Sequence, residues 1–425
     1  MTRTPKKLKY IADHIARGDA PSYVDESDVL AINQACVSPR GLTLEKAKFH
    51  DPADTARIGA WLRHGDVLIN STGTGTLGRV GYVPEGLPRH SFADGHVTII
   101  RDSKERFVPR FLFYLLSIQQ AQLTVDCAEG ATNQIELSRH HLGNKVIDWP
   151  NIEEQQRIAD LLDIDVGRLD RLVDAKQCLL QLLTEKRRAL IAHAVTRGLN
   201  PDVPLRESGV EWLGDMPAHW PLFPLRRVIT SLDQGWSPVA SNLPAAEGEY
   251  GVLKLSAVKK GHFVPQENKA LLPVDEVPSG LSIRAGDVFV TRANTPSLVG
   301  DAAMADEDFP SLVFSDLIYR LRVNPDLIDP RWLVLVLISD TGRQQVEAEA
   351  KGSSGSMVKL AQDQVLGLLI PVPSIAEQRA IVQALNDETV KLQHLADATR
   401  TTIDLLTERR ASLIAKAVIG EELNP

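Results

Sequence analysis

Three residue patterns could do chemistry. Gly73-Thr74-Gly75-Thr76-Leu77-Gly78 has the GxGxxG spacing of a dinucleotide-binding loop, and it follows the strand-like Asp66-Val67-Leu68-Ile69-Asn70. The next residues, Arg79-Val80-Gly81-Tyr82-Val83-Pro84, read as strand and turn. No helix start is then available to hold a pyrophosphate, and a hairpin-like loop presenting backbone amides and hydroxyls is expected instead. Pro325-Asp326 and Glu349-Ala350-Lys351 could be stretched into a metal-dependent nuclease site, but the gap is long and the first half has no Lys after Glu129. Chance spacing explains them better. His140-His141 is an adjacent pair whose rings point apart on a helix or a strand, and no cysteine or carboxylate cluster completes a metal site. GxSxG, HExxH, P-loop and Asn-Pro-Pro-aromatic motifs are all missing from the sequence. The expectation is a binding protein with no catalytic or metal-ligating residues.

The bulk properties agree with that reading. The 425 residues suggest two or three domains, with 43% hydrophobic and 24% charged residues as in an ordinary soluble protein. A net charge of −8 excludes a simple basic DNA-coating protein, although it leaves room for a local basic patch. The most apolar stretch, around Leu333 to Ile338, is too short to cross a membrane, and no apolar signal core follows Arg3, Lys6, Lys7 and Lys9. Cys36, Cys127 and Cys178 form neither a disulfide framework nor a zinc knuckle. A cytoplasmic protein is expected.

An internal repeat organises the chain. Aligned without a gap, residues 150–195 and 373–418 are identical at 20 of 46 positions, all at an offset of 223. Weaker matches precede them: Arg63-His64-Gly65-Asp66-Val67 with Arg284-Ala285-Gly286-Asp287-Val288, Phe92-Ala93-Asp94 with Phe314-Ser315-Asp316, and Gly18 to Pro21 with Gly235 to Pro238. A period above 200 residues is a domain duplication. It implies a pseudo-two-fold molecule that does one task twice on different targets. The divisions are a variable domain at 1–149, a helix at 150–198, a Pro- and Gly-rich ordered linker at 199–223, a second variable domain at 224–372 and a second helix at 373–425. The variable domains mix period-two strands with short buried helices, an α+β class.

The repeated helices carry leucines in multiples of seven: Leu162, Leu169, Leu183 and Leu190, then Leu385, Leu392, Leu406 and Leu413. Leu172, Leu179 and Leu395 stand three residues later in the heptad, which predicts the seam of an antiparallel coiled coil. Gly198 and Gly420 mark the helix stops.

Two loop pairs at matching places complete the candidate site. Asn70, Ser71, Thr72, Thr74, Thr76 and Arg79 face Thr291, Arg292, Asn294 and Thr295; Asn133 and Gln134 face Ser353, Ser354 and Ser356. Such side chains pair with base edges and phosphates. They are also ordinary surface-loop residues, so their recurrence at equivalent places, with different identities, is what suggests DNA.

The segment from Ser208 through Val210-Glu211-Trp212-Leu213-Gly214 to His219-Trp220 resembles a signature of the specificity subunits of type I restriction–modification systems. Pro150-Asn151-Ile152-Glu153-Glu154-Gln155 and Pro373-Ser374-Ile375-Ala376-Glu377-Gln378 resemble that family's Pro-x-x-x-Glu-Gln helix start. The resemblance implies two target-recognition domains, each reading half of a split double-stranded DNA site, and helices that set the spacer. It further implies two modification subunits that methylate adenine with S-adenosylmethionine, and restriction subunits using ATP and Mg²⁺, with no cofactor in this chain. The first domain lacks the signature segment found before the second, so that whatever the segment braces is expected to be braced differently, or left open, there. The competing readings are a coiled-coil scaffold without a nucleic-acid role and a self-contained restriction–methylation enzyme.

Overall fold

The computed structural model describes residues 3–88, 90–130, 135–272, 277–354 and 357–420. The chain is α+β and divides into two compact units. The first comprises residues 1–178 and 399–425; the second comprises 179–398, so the division cuts both long helices.

In the first unit, strands His14–Arg17, Val97–Arg101, Val67–Asn70 and Val80–Tyr82 form an antiparallel sheet in that order. All four residues of Val67–Asn70 are buried, which suits a central strand covered on both faces. A second sheet runs Ser91–Ala93, Leu30–Ile32, Lys48–His50 and Tyr23–Val24. The helix Pro109–Ser117 starts with Pro at its first turn, where a missing N–H costs nothing. It contributes six consecutive buried residues, Phe111 to Leu116, to a core shared with Ile158, Leu162 and Val166 of the first long helix, Ile152–Arg197, and with Ile414, Ala417 and Val418 of the second, Ile375–Ile419.

The second unit repeats this plan. Strands Ile229–Gln234, Ile318–Val323, Val288–Thr291 and Ala302–Met304 take the same order, and Asn268–Ala270, Gly251–Leu253 and Leu312–Phe314 form the second sheet. Helix Pro330–Ile338 corresponds to Pro109–Ser117.

The matched motifs have matching physical roles. Asp66 is fully buried; its carboxylate accepts from the Arg63 amide at 2.8 Å and holds Arg101 through two bonds of 2.6 Å. Asp287 accepts from the Arg284 amide at 3.0 Å and from Arg322 at 2.9 Å. Gly65 and Gly286 make the preceding turns with φ of 86° and 85°, a region that favours glycine. Gly18 and Gly235 are required for a different reason: a Cβ at either would lie within 2.3 Å of the carbonyl oxygens of Ala93 or Phe314.

The long helices run antiparallel within each unit. In the first, Asp170 pairs with Arg410 at 3.0 Å while Ile158 and Leu162 pack with Ile414, Ala417 and Val418. In the second, Leu183 clusters with Leu392 and Ala396, and Ile191 joins Ile381 and Leu385. Both helices stop at left-handed glycines, Gly198 with φ of 73° and Gly420 with φ of 87°.

The expected seam is corrected in one respect. Leu162, Leu169, Leu183, Leu385 and Leu392 are buried, Leu179, Leu190, Leu406 and Leu413 are half-buried, but Leu172 and Leu395 are about half exposed, at 50% and 47%. The second stripe lies four residues after the leucines, at Val166, Val173 and Ala396. Leucine content pointed to the wrong neighbour because Leu172 adjoins the smaller Val173, and geometry chose the valine.

Candidate nucleic-acid interface

The glycine-rich segment is a closed loop between adjacent strands. The Gly78 amide donates to the Asn70 carbonyl and the Asn70 amide to the Arg79 carbonyl, both at 2.9 Å. Inside the loop, Thr76 and Leu77 amides return to the Gly73 carbonyl, at 3.1 and 3.0 Å. Gly73, Gly75 and Gly78 all have positive φ. The second unit closes its loop identically, with Gly300 donating to Thr291 and Thr291 to Asp301, at 2.8 and 2.9 Å.

The predicted residues separate into two groups. Asn70, Ser71 and Thr291 are fully buried and serve the loop from within. The Asn70 amide group donates to the Gln34 carbonyl at 2.9 Å, the Ser71 hydroxyl meets that of Thr98 at 2.5 Å, and the Thr291 hydroxyl donates to the Leu298 carbonyl while accepting from the Asp301 amide. None of the three presents its side chain to a ligand. This corrects the expectation that they face outward: each ends or directly follows a central strand, where both faces are covered. Thr72, Thr76, Arg79, Arg292 and Asn294 are half-buried, and Thr74 and Thr295 are exposed. The Arg292 guanidinium lies 5.9 Å from the Tyr319 ring centroid and donates to the Asp316 carbonyl at 3.4 Å, with its Nε buried and unpaired among the described residues.

The structure brings the two loops of each unit together. The Leu137 amide donates to the Ser71 carbonyl at 2.8 Å, which seats the hairpin of Ala128–Glu129 and Glu136–Leu137 beside the first loop. Correspondingly, Leu360 donates to Arg292 at 2.9 Å, and Ala293–Asn294 pairs with Met357–Lys359, which pairs with Lys351–Ser354. Ser353 and Ser354 lie on that last strand. Asn133, Gln134 and Ser356 lie outside the described residues.

Sequence reasoning missed several neighbours. His96 is exposed, with Nδ1 2.8 Å from the Thr72 hydroxyl; Arg17 pairs with Glu136 at 2.8 Å; Gln34 lies against Gly73. Arg343 donates to the carbonyls of Val299 and Pro296 and so anchors the second unit's loop. No local pattern flags these residues, because contacts between segments far apart in sequence bring them in. Asp94, beneath His96, is buried, and that burial raises its carboxyl above the usual range. The His140 and His141 rings turn to Asn144 and Glu129 respectively, and among the described residues no group of three potential ligands could hold a metal ion. No described helix is long and apolar enough to cross a membrane.

Comparison with known proteins agrees with this architecture. Residues 56–176 match the family model of the type I restriction modification DNA specificity domain. The chain is 29% identical over 175 residues to the EcoEI specificity subunit of Escherichia coli, covering 41% of this chain and only 29% of that relative's length. It is 22% identical over 338 residues to a putative type I restriction enzyme MjaX specificity subunit of Methanocaldococcus jannaschii, covering 77% of this chain and 73% of the relative. A chain solved in work on complex assembly of the type I R-M system superimposes with a TM-score of 0.70 at 18% identity, covering 98% of this chain and 97% of the other. The HsdS subunit of Thermoanaerobacter tengcongensis gives 0.50 at 18% identity, covering 99% and 97%. The chain thus shares the duplicated α+β fold of the solved HsdS subunit, and over residues 56–176 it is similar to the type I restriction modification DNA specificity domain.

Proposed function

We propose that the chain is the non-catalytic subunit that chooses the DNA site of a type I restriction–modification complex. Each unit would read one half of a bipartite double-stranded site. Two modification subunits would methylate adenine from S-adenosylmethionine, and restriction subunits would use ATP and Mg²⁺; those cofactors act in the partners. The setting would be the cytoplasm, and the antiparallel helix pairing in each unit supports reading the two long helices as a coiled coil.

One observation carries this reading. In both units two loops rich in Arg, Asn, Ser and Thr are joined by a backbone hydrogen bond at the same place in the repeat, Leu137 to Ser71 and Leu360 to Arg292. The backbone framework is repeated and the presented side chains differ, which suits two reading heads for two different sequences. The test is to exchange residues 224–372 for the second recognition domain of another family member and sequence the methylome of the host. One half of the methylated motif should change and the other should persist. If both halves changed together, independent reading by the two units would be wrong.

A further inference from the structure

Each unit has a pocket at the same place in the repeat, and the two differ in one chemical respect. In the first unit the pocket, about 440 Å³, lies between the hairpin turn at Arg40-Gly41, the strand end at Tyr82, Arg110 of helix Pro109–Ser117, and Asp163 of the first long helix. Its arginines are neutralised from within. Arg110 lies 4.6 Å from the Tyr82 ring centroid and donates Nε to Asp163 at 2.8 Å; the Tyr114 hydroxyl donates to the same carboxylate at 2.6 Å. Arg410 pairs with Asp170 at 3.0 Å and donates to the Pro39 carbonyl at 2.8 Å, and Arg40 also pairs with Asp170.

The second unit's pocket, about 310 Å³, is lined by His262 at the hairpin turn, Met304 for Tyr82, Arg331 for Arg110 and Asn386 for Asp163, and also by Arg187, whose equivalent in the repeat, Arg410, does not line the first pocket. The two carboxylates are gone. Asn386 replaces Asp163, and Gln393, bonded to Asp397, replaces Asp170. Arg331 pairs with Asp306, also a lining residue, at 3.0 Å, so that carboxylate is already taken. Arg187 has no carboxylate within ion-pair distance among the described residues; its Nε is buried without a partner, and its Nη2 lies 3.5 Å from His262 Nε2. Burial, and then the charge of Arg187, hold His262 below the usual imidazole range, so this ring adds no second cation. The rest of the wall is largely aliphatic, with Ile191, Val334, Leu335, Ile338, Val382 and Leu385 beside the polar Gln383 and Thr389.

From the missing counter-charge we infer that the second unit's pocket binds a carboxylate carried on an apolar stem. A guanidinium desolvated on one side and left unpaired is costly, and a carboxylate supplies both the charge and the acceptor geometry it lacks. The volume suits a small organic acid or one acidic side chain, and the aliphatic wall would cover the stem. In the first unit's pocket Asp163 already fills that role.

The test has two arms, one for each source of that carboxylate. In the first, the full chain is titrated calorimetrically with hexanoate and benzoate, and with hexanol and benzyl alcohol as neutral matches. Saturable binding of the acids alone, weakened at least about tenfold by Arg187→Gln and by Asn386→Asp, identifies a free acid as ligand. The Asn386→Asp change restores the first unit's carboxylate and needs no loss of packing, so it remains informative if Arg187→Gln fails to fold. In the second arm, which rests on the specificity-subunit reading, assembly with the modification subunit is measured. A similar weakening by both variants, with no response to free acids, identifies an acidic side chain of that partner. Acids binding no better than alcohols, with assembly unchanged in both variants, would overturn the inference. Failure of the wild-type chain to assemble would instead count against the specificity-subunit reading, and the titration alone would then decide the pocket.

Discussion

The indole N–H of Trp220 donates to Oε1 of Glu377 at 3.0 Å, and His219 Nε2 lies 3.0 Å from Oε2 of the same carboxylate. Glu377 stands in the first turn of the second long helix, while Trp220 is buried against Gly198 at the end of the first. One tryptophan thus ties the start of one helix to the end of the other inside the second unit. The first unit meets the same need with different chemistry: Arg3 donates to the Val418 carbonyl at 2.7 Å beside Gly420, and Glu154, equivalent to Glu377, pairs with Arg157 at 2.7 Å. At the corresponding place in the first unit an arginine thus sits on a helix C-terminus, where a cation also complements the helix dipole.

The two glutamates should respond unequally to removal. Glu377→Ala breaks a charge-assisted bond to a buried indole and should cost about 1.5–3 kcal/mol. Glu154→Ala removes a pair with the largely exposed Arg157 and should cost under about 1 kcal/mol. Urea unfolding followed by tryptophan fluorescence checks both, and equal losses would mean that Trp220 is not the brace.

The glutamines one position later are a second matched pair. Gln155 accepts from the Val108 amide at 2.9 Å and donates to the Pro150 carbonyl; Gln378 accepts from the Asp329 amide at 2.8 Å and donates to the Pro373 carbonyl. Both glutamines are buried, so alanine at either removes the acceptor of a backbone N–H and should destabilise its unit by about 1–3 kcal/mol. Hydrogen exchange at Val108 and Asp329 should quicken in the matching variant alone.

That pair also shows what was legible in the sequence. The Pro-x-x-x-Glu-Gln match located a helix start, and the Gly65-Asp66 and Gly286-Asp287 matches located turns, because each motif is satisfied by neighbours close in the chain. The repeat gave the duplicated architecture for the same reason. What stayed hidden depends on residues far apart in sequence. Leu137 reaches Ser71, Trp220 reaches Glu377, and His96 reaches Thr72 only after the strands pair. The outward or inward aim of Asn70, Ser71 and Thr291 was equally illegible, since a strand end gives no sign of what covers it.

The corrected helix seam makes a sharp prediction at two adjacent residues. Val173 is 3% exposed and Leu172 is 50% exposed. An aspartate at 173 buries an unpaired charge and should unfold or strongly destabilise the first unit, whereas Leu172→Asp should change stability by no more than about 0.5 kcal/mol. Thermal melts of the two variants decide between the stripes, and the reverse order would restore the original heptad assignment.

The last prediction separates reading from support within one loop. Thr291 and Arg292 are neighbours, yet the first is buried with both of its hydrogen-bonding capacities used, and the second is half-buried and, among the described residues, makes one long side-chain bond of 3.4 Å to a carbonyl. Thr291→Val should therefore lower the melting temperature by leaving the Asp301 amide and Leu298 carbonyl without the hydroxyl, at about 1–3 kcal/mol. Arg292→Ala should leave the melting temperature nearly unchanged and weaken binding to the cognate site in the assembled complex. If Arg292 meets a base edge, the loss should be about 1–3 kcal/mol and confined to one position of the half-site; if it meets a phosphate, all sequences should weaken evenly and the salt slope should fall by about 1. Competition binding with single-position site variants at two salt concentrations tells these apart. Full affinity in Arg292→Ala, with assembly intact, would show that this loop of the second unit faces away from DNA.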